Sequence, residues 1–539
     1  MKKILLGNDA IVKGALSAGV DFVSGYPGCP AAEIGDTFGK IAKENGVYAE
    51  WSVNEKVALE AAIGASFSGL KTLVNMKSFG INVCSDSLLP LAYTGTKGPM
   101  VIIVGDDPSC HSSAQTEQNS RAYAYLSHIP VLEPADAQEC YDFTKLGFEI
   151  SEKFKTPVIL RTTTRVAHQR ALVDFEQTEI KHNKGEFIKN PHQFCTMPPR
   201  VLEMKKELLE KTEKIRQFAE KSKVNQIINN KKSKIGIITS GVSYLHTMEA
   251  LDLAGLNVPV LKLGFFYPLP KGKVINFIKG LKKVLIVEEL DGYLEKEVLA
   301  IAKDINPKLQ VSGKNLLSEI GELDDQKIYY ALSKITGKKL PALKIKKLDL
   351  PRRAPRLCEG CPYWYAFPVI KKAAPEGTIF GGDIGCNMIA GLPPHNMQDY
   401  LFSMGASLGI SHGIIKATNQ KVISIMGDGT FFHAGMPALV NAVYNKSNPL
   451  VIVLDNRITA MTGQQPNAGM GKTSMGEDTT ELRIEKIAET FGVKHIKVLD
   501  QINMPELEST IKEFLATNEI SLIVCKRICA LLAKRQKQA

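Results

Sequence analysis

Residues 422–432 read VISIMGDGTFF and residues 449–456 read PLVIVLDN, and this pair of segments decides the fold class. Each is dominated by apolar residues, the pattern of a strand buried on both faces of a parallel sheet. The first run ends in Gly427-Asp428-Gly429 and the second in Asn456, with a helical stretch between them. In a parallel sheet both strand ends lie on one edge, where open α/β sheets bind ligands. Asp428 and Asn456 are therefore expected to converge although 28 positions separate them. A carboxylate and an amide oxygen suit a hard cation such as Mg²⁺, which also takes phosphate oxygens and water. Gly427 and Gly429 allow close backbone approach, and the helix start beyond them favours phosphate. The plain alternative is an ordinary turn aspartate and a strand-ending asparagine; the matched strand ends favour the metal–phosphate reading.

Working outward, residues 358–539 carry further strand-like runs at Thr378–Gly381 and Leu522–Val524 and are expected to form one α/β domain. Residues 1–180 alternate apolar runs (Val20–Ser24, Thr72–Met76, Met100–Val104, Pro157–Arg161) with helical patterns such as the alanine-rich Asn54–Ser68, which predicts parallel βαβ construction. Residues 181–232 turn polar, with EMKKELLEKTEKIRQFAEK reading as an exposed helix in a charged helical connector. KIGIITSG opens a smaller α/β domain over 233–335, and a basic, proline-bearing linker follows over 336–357. The fold class is thus α/β and multi-domain, with two doubly wound parallel-sheet domains and a third, smaller α/β domain.

A chain of 539 residues is too long for one core, and 44% hydrophobic with 23% charged residues is ordinary for a globular protein. The N-terminus MKKILLGNDA is too short in apolar residues for a signal peptide, and no run approaches the roughly 18 apolar residues of a membrane span. A cytoplasmic location without membrane contact is the expectation. The net charge of +11 concentrates in segments that read as solvated helix and linker, at 203–234 and 337–353, without a recognition module, so no nucleic-acid partner is expected. Ten scattered cysteines read as free thiols; Cys358-x-x-Cys361 and Cys525-x-x-x-Cys529 each fall short of a four-ligand metal pattern.

The Gly-Asp-Gly, 26 residues, Asn pattern is similar to the signature of thiamine-diphosphate enzymes. That resemblance implies Mg²⁺ held by Asp428, Asn456 and the backbone carbonyl of Ile458. Thiamine chemistry also needs a carboxylate against the aminopyrimidine ring, so that its imino tautomer can take the thiazolium C2 proton. In AEWSVNEKVALEAAIGAS, Glu55 follows a strand-like run and opens a helix in the register Glu-x-x-Ala-x-x-Ala-Ala-x-Gly. A glutamate in a first helical turn is commonly just a dipole partner, but this register favours the catalytic role. Glu60 is the alternative, on a different face.

The resemblance is broader than one motif. GYPGCPAAEI (25–34), NEKVALEAAIGAS (54–66), MKSFGINVCSD (76–86), HSSAQTEQNSR (111–121), LRTTTRVAH (160–168), LCEGCPYWYAF, GGDIGC, FSMGAS and GDGTFFHAG occur in order along the chain. Together they resemble the large, thiamine-binding subunit of the indolepyruvate:ferredoxin oxidoreductases, within the 2-oxoacid:ferredoxin oxidoreductases. IGIITSGVSY and VEELDGYLEKEV resemble that subunit's transketolase C-terminal-like domain. The resemblance places Gly427, Gly429, Gly385 and Cys386 near the diphosphate. It casts Met404 as the bulky residue that props the cofactor in a V shape, the alternative being a core methionine. Loops 26–30, 76–79 and 111–121 would line the substrate pocket with Cys29 and Ser78. His111 or Arg121 would meet a 2-oxo acid's carboxylate, unless either is a simple surface loop residue.

The chain departs from its relatives' pattern in places. Cys29 stands where YPGTP has threonine, Ser78 follows Met76-Lys77 where MKH is common, and GCPHR becomes Gly360-Cys361-Pro362-Tyr363-Trp364. The chain ends at ICALLAKRQKQA, where relatives continue into a ferredoxin-like segment, so iron–sulfur clusters are expected only from a partner subunit. The leading expectation is oxidative decarboxylation of an indolepyruvate- or arylpyruvate-like 2-oxo acid, with acyl transfer to coenzyme A and electrons to ferredoxin. A smaller β/γ-type subunit, a ferredoxin or separate iron–sulfur subunit, and a homodimer of this chain within a hetero-oligomer are implied. The alternatives are a non-oxidative decarboxylase or carboligase, and a non-catalytic scaffold, against which the joint presence of Glu55, Asp428 and Asn456 argues.

Overall fold

The computed structural model describes residues 1–176, 182–229, 233–342, 350–351 and 353–538. Parts of the expected connector (181, 230–232) and linker (343–349, 352) lie outside the described residues. The chain divides into two compact units, Met1–Lys347 and Leu348–Ala539.

In the first unit the strands are β1 (Lys2–Leu6), β2 (Phe22–Gly25), β3 (Tyr48–Trp51), β4 (Thr72–Lys77), β5 (Met100–Asp106), β6 (Val131–Leu132), β7 (Val158–Thr163), β8 (Arg170–Asp174), β9 (Gln226–Ile228), β10 (Ile235–Ser240), β11 (Val260–Leu263), β12 (Phe265–Tyr267), β13 (Lys283–Val287) and β14 (Gln310–Ser312). A seven-stranded sheet runs β12-β6-β7-β5-β4-β2-β3. All its pairings are parallel except β12 against β6. β4, β5 and β7 are almost wholly buried, as strands covered on both faces must be. A five-stranded sheet, β14-β13-β10-β11-β9, is parallel except at β9, and β1 and β8 form an antiparallel ribbon. β12 thus belongs by sequence to the middle of the chain but completes the first sheet.

The helix Arg200–Lys221 differs from its reading as a freely exposed segment. Met204, Leu208, Ile215 and Ala219 fall on one face and are buried. The many lysines and glutamates concealed this stripe, because four apolar residues at helical spacing suffice to dock a helix.

Among the described residues of the second unit, β15 (Ile379–Gly381), β16 (Val422–Gly427), β17 (Leu450–Asp455), β18 (His495–Leu499) and β19 (Ser521–Lys526) form a sheet in the order β15-β16-β17-β19-β18, parallel throughout. Helices Tyr363–Ala373 and Met504–Ala516 cover one face, and Ala406–Ala417 and Met436–Tyr444 lie on another side of the strands. Among the described residues no helix is long and apolar enough to cross a membrane.

Candidate cofactor site

In the second unit, β16 and β17 are neighbours, with Gly427 opposite Leu454. That register puts Asp428 and Asn456 on one sheet edge. β16 passes directly into a helical segment that starts at Asp428 and contains a π-turn over Phe431–Gly435. Asp428 is 3% exposed and accepts a 2.9 Å hydrogen bond from the Asn467 amide. Burial, and then repulsion from Asp455, push its carboxyl above the usual range. Asp455 is raised by burial as well, despite the Arg457 backbone N–H at 3.0 Å. Lys526 Nζ, 4.0 Å away, offsets the charge of Asp455, whereas the buried Asp428 carboxylate has no such cation beside it among the described residues and is the donor type that suits a divalent cation.

Asn456 is fixed on three sides. Its Oδ1 accepts from the Ile458 N–H at 3.1 Å, its Nδ2 donates to the Tyr363 hydroxyl at 3.1 Å, and its carbonyl accepts from the Cys529 N–H at 3.1 Å. Ile458 is buried beside it. Gly385 has φ +135°, a conformation side chains resist, and a Cβ there would lie 2.9 Å from Asn387 Oδ1. The same oxygen lies 3.8 Å from the Cβ position of Gly427, and a Cβ at Gly429 would lie 3.0 Å from Thr459 Oγ1. Gly385, Gly427 and Gly429 thus leave a cradle lined by backbone and small polar groups, suited to phosphate.

Sequence reading missed Asp383, in the GGDIGC motif, although an aspartate between glycines signals a backbone-binding role. Buried completely, it accepts from the Gly405 and Ser407 N–H groups at 2.9 and 3.1 Å. Burial pushes it up to about 6. Its bonds pin the turn that carries the part-buried Met404.

Three segments also gather four cysteines: Cys358 and Cys361 before the helix Tyr363–Ala373, Cys386 after Gly385, and Cys529 after β19. Burial, reinforced by the neighbouring thiols, lifts Cys361 to about 11 and Cys386 to about 12; Cys386 senses the other three and Asp428. Among the described residues no three thiols lie mutually within 4.8 Å. The two pairs seen in the sequence therefore regroup: Cys525 is buried within β19, and Cys529 joins the other three.

In the first unit, Glu55 opens the helix Glu55–Phe67, whose N-cap Asn54 accepts from the Val57 N–H at 2.9 Å. Glu55 is 7% exposed, and Gly80 makes room for it: a Cβ there would lie 2.6 Å from Glu55 Cγ and 2.8 Å from Met76 Cβ. Glu60 sits at the surface, bonded at 2.6 Å to both Lys56 and Ser87. Ser78 is buried at the start of its helix and its carbonyl accepts from Gln118 at 2.7 Å. The carbonyl of Cys29 accepts from Ser112 at 3.5 Å, and Lys77 reaches the Ser112 carbonyl at 2.9 Å. His111 is half exposed, with Nε2 3.0 Å from Glu322, which also takes Arg165.

Arg121 corrects the expectation. It is not a surface loop residue, being 2% exposed. Its Nε and Nη2 each meet Glu133 at 2.6 Å, and Nη1 meets Glu288 at 3.0 Å. Arg161, bonded to Asp106 at 2.7 Å and Glu133 at 3.1 Å, extends the network. Glu289, fully buried nearby, is pushed up to about 7 by desolvation, with the Leu323 N–H opposing the rise. Arg121 thus ties the first sheet to the segment after β13 and is unavailable to a ligand's carboxylate.

Residues 383–525 match the thiamine pyrophosphate enzyme C-terminal TPP binding domain. Residues 13–233 match the thiamine-diphosphate-binding domain of pyruvate flavodoxin/ferredoxin oxidoreductases, and 225–339 the indolepyruvate oxidoreductase domain. The indolepyruvate oxidoreductase subunit IorA of Methanothermobacter marburgensis is 43% identical over 98% of this chain and 87% of its own length. IorA of Pyrococcus horikoshii is 42% identical, over 98% and 86%, and IorA of Archaeoglobus fulgidus 36%, over 100% and 88%. Among solved structures, the 2-oxoglutarate:ferredoxin oxidoreductase of Magnetococcus marinus, with 2-oxoglutarate, coenzyme A and succinyl-CoA bound, is similar with a TM-score of 0.51. It is 18% identical and the match covers 62% of this chain and 65% of that one, a likeness of fold.

Proposed function

The chain belongs to the indolepyruvate oxidoreductase family, and from that premise we propose that it is the subunit which binds thiamine diphosphate through Mg²⁺ and decarboxylates an arylpyruvate-type 2-oxo acid. The observation that carries this reading is the convergence of Asp428 and Asn456 on neighbouring strand ends, beside a cradle that side chains at Gly385, Gly427 and Gly429 would fill. Asp428, Asn456 Oδ1 and the Ile458 carbonyl hold the cation, and the glycines admit the diphosphate. The turn bearing Met404, pinned by Asp383, packs against the cofactor. Glu55 holds a proton at the aminopyrimidine ring, in a space that Gly80 keeps clear. Bound thiamine diphosphate supplies the carbon nucleophile and electron sink that loss of CO₂ requires.

The four thiolates of Cys358, Cys361, Cys386 and Cys529 are the donor type that holds an iron–sulfur cluster, so that, in place of the expectation that clusters come only from a partner subunit, this chain would itself hold one that accepts electrons singly on their way to ferredoxin. Coenzyme A takes the acyl group, and a smaller subunit completes the enzyme. The test is to incubate the chain, with any co-purified partner, with thiamine diphosphate, Mg²⁺ and a panel of 2-oxo acids. CO₂ release, ferredoxin or dye reduction and aldehyde are measured. Reduction that depends on an aryl 2-oxo acid and coenzyme A is expected. Aldehyde release at full rate without an electron acceptor would replace this reading with a non-oxidative decarboxylase.

A further inference from the structure

Tyr363 opens the helix that follows Cys361-Pro362, yet its hydroxyl lies against the end of β17 rather than among the thiols. It is 2% exposed. Its single proton is directed to the Leu454 carbonyl at 3.3 Å, so the oxygen is left to accept from Asn456 Nδ2 at 3.1 Å. An asparagine amide has two faces of nearly equal shape, and only its partners decide which end points where. Here the Ile458 N–H engages Oδ1 and Tyr363 engages Nδ2. The phenol is the one partner of that amide nitrogen among the described residues.

We propose that Tyr363 is a positioning residue for the cation: it fixes the amide of Asn456 so that the oxygen, not the nitrogen, faces the metal. The inference rests on the reading of Asn456 as a metal ligand. It has a physical basis beyond packing, because a metal accepts only the oxygen end and groups that orient a ligand govern metal affinity. The same helix start is joined to the cysteine loop through the Cys361 N–H to the Cys358 carbonyl at 3.1 Å, and Cys529 holds the Asn456 carbonyl. The loops carrying three of the four thiols therefore brace the same ligand.

The experiment titrates Mg²⁺ into the full chain at saturating thiamine diphosphate by calorimetry, for wild type, Tyr363→Phe and Tyr363→His, with melting curves of each without cofactor. Tyr363→Phe keeps the ring and removes the acceptor; the apparent Mg²⁺ affinity is expected to fall by about 10-fold or more. Tyr363→His offers a ring nitrogen as acceptor and is expected to recover most of the loss. Unchanged Mg²⁺ affinity in a folded Tyr363→Phe chain would overturn the proposal. If the phenylalanine variant does not fold, a folded Tyr363→His chain decides: near-native affinity supports orientation by an acceptor, and affinity reduced 10-fold or more overturns it. Absence of Mg²⁺-dependent cofactor binding in the wild type would instead refute the underlying metal assignment.

Discussion

Replacing Gly80 by alanine adds one methyl group at the closest point between the helix Ser78–Thr94 and Glu55. The new Cβ would stand 2.6 Å from Glu55 Cγ, 2.8 Å from Met76 Cβ and 3.0 Å from Glu55 Oε1. Met76 Cβ is fixed to a central strand and cannot withdraw, so the glutamate must move or the helix must shift. Two energies compete. Alanine in a helix interior gains about 1 kcal/mol over glycine, while overpacking a close contact costs about 1–3 kcal/mol. The balance is a loss of roughly 1 kcal/mol, small enough for the variant to fold. Catalysis is the more sensitive readout, because displacing a reacting group by about 1 Å can cost on the order of 100-fold in rate. The assay compares kcat for CO₂ release with thiamine diphosphate affinity in Gly80→Ala, using Glu55→Gln as reference. A kcat lowered on the order of 100-fold, with cofactor affinity kept within a few-fold, is expected. A variant as active as wild type would refute both the crowding argument and the role given to Glu55.

Other outcomes follow from residues outside that contact. Arg121→Ala leaves Glu288 buried without its guanidinium partner and Glu133 with Arg161 alone, and denaturant unfolding should show a loss of about 3–5 kcal/mol; a raised KM for the 2-oxo acid with unchanged stability would reinstate Arg121 as a substrate contact. Glu289 binds a proton more tightly in the native state than when unfolded, its carboxyl standing near 7 against a usual 4.5. Its contribution to stability therefore declines as pH rises from about 4.5 through about 7. Glu289→Gln should flatten that part of the melting-temperature profile, and an unaltered slope would remove Glu289 from the account. Chain prepared without oxygen should carry iron and acid-labile sulfide, and Cys386→Ala should lower both; equal iron in the two proteins would show that the thiols do not hold it.

The sheet edge of the second unit was legible because strand, glycine turn and polar end residue sit in continuous sequence. Parallel pairing then had little freedom in where to put Asp428 and Asn456. The position of Glu55 at a helix start was legible for the same local reason, but its contact with Gly80, 25 positions on, was not, since only packing reveals which glycine clears which side chain. Arg121 was misread because its loop is polar, and one of its two acids, Glu288, is 167 positions away. The cysteine group was hidden by a different effect. Spacing within one loop identifies a chelating pair, whereas this quartet is assembled from three loops that only the strand order brings to one edge. The docked face of Arg200–Lys221 was masked by composition, since a helix with a few apolar residues in register packs as surely as a greasy one.

The antiparallel pairing of β12 with β6 joins Phe265 to Leu132, residues 133 apart in the chain. The first sheet is therefore finished by a strand made long after the rest of it. During synthesis, β6 emerges with one hydrogen-bonding edge open and waits for the middle of the chain. That interval is when pairing with another copy competes with correct closure. It also means the middle segment is not a cassette: excising it, or exchanging it for a relative's, removes the lid from a sheet elsewhere. A shortened chain stopping before Phe265 should aggregate where the whole one does not, and chimeras should join best beyond residue 340, after both sheets are complete.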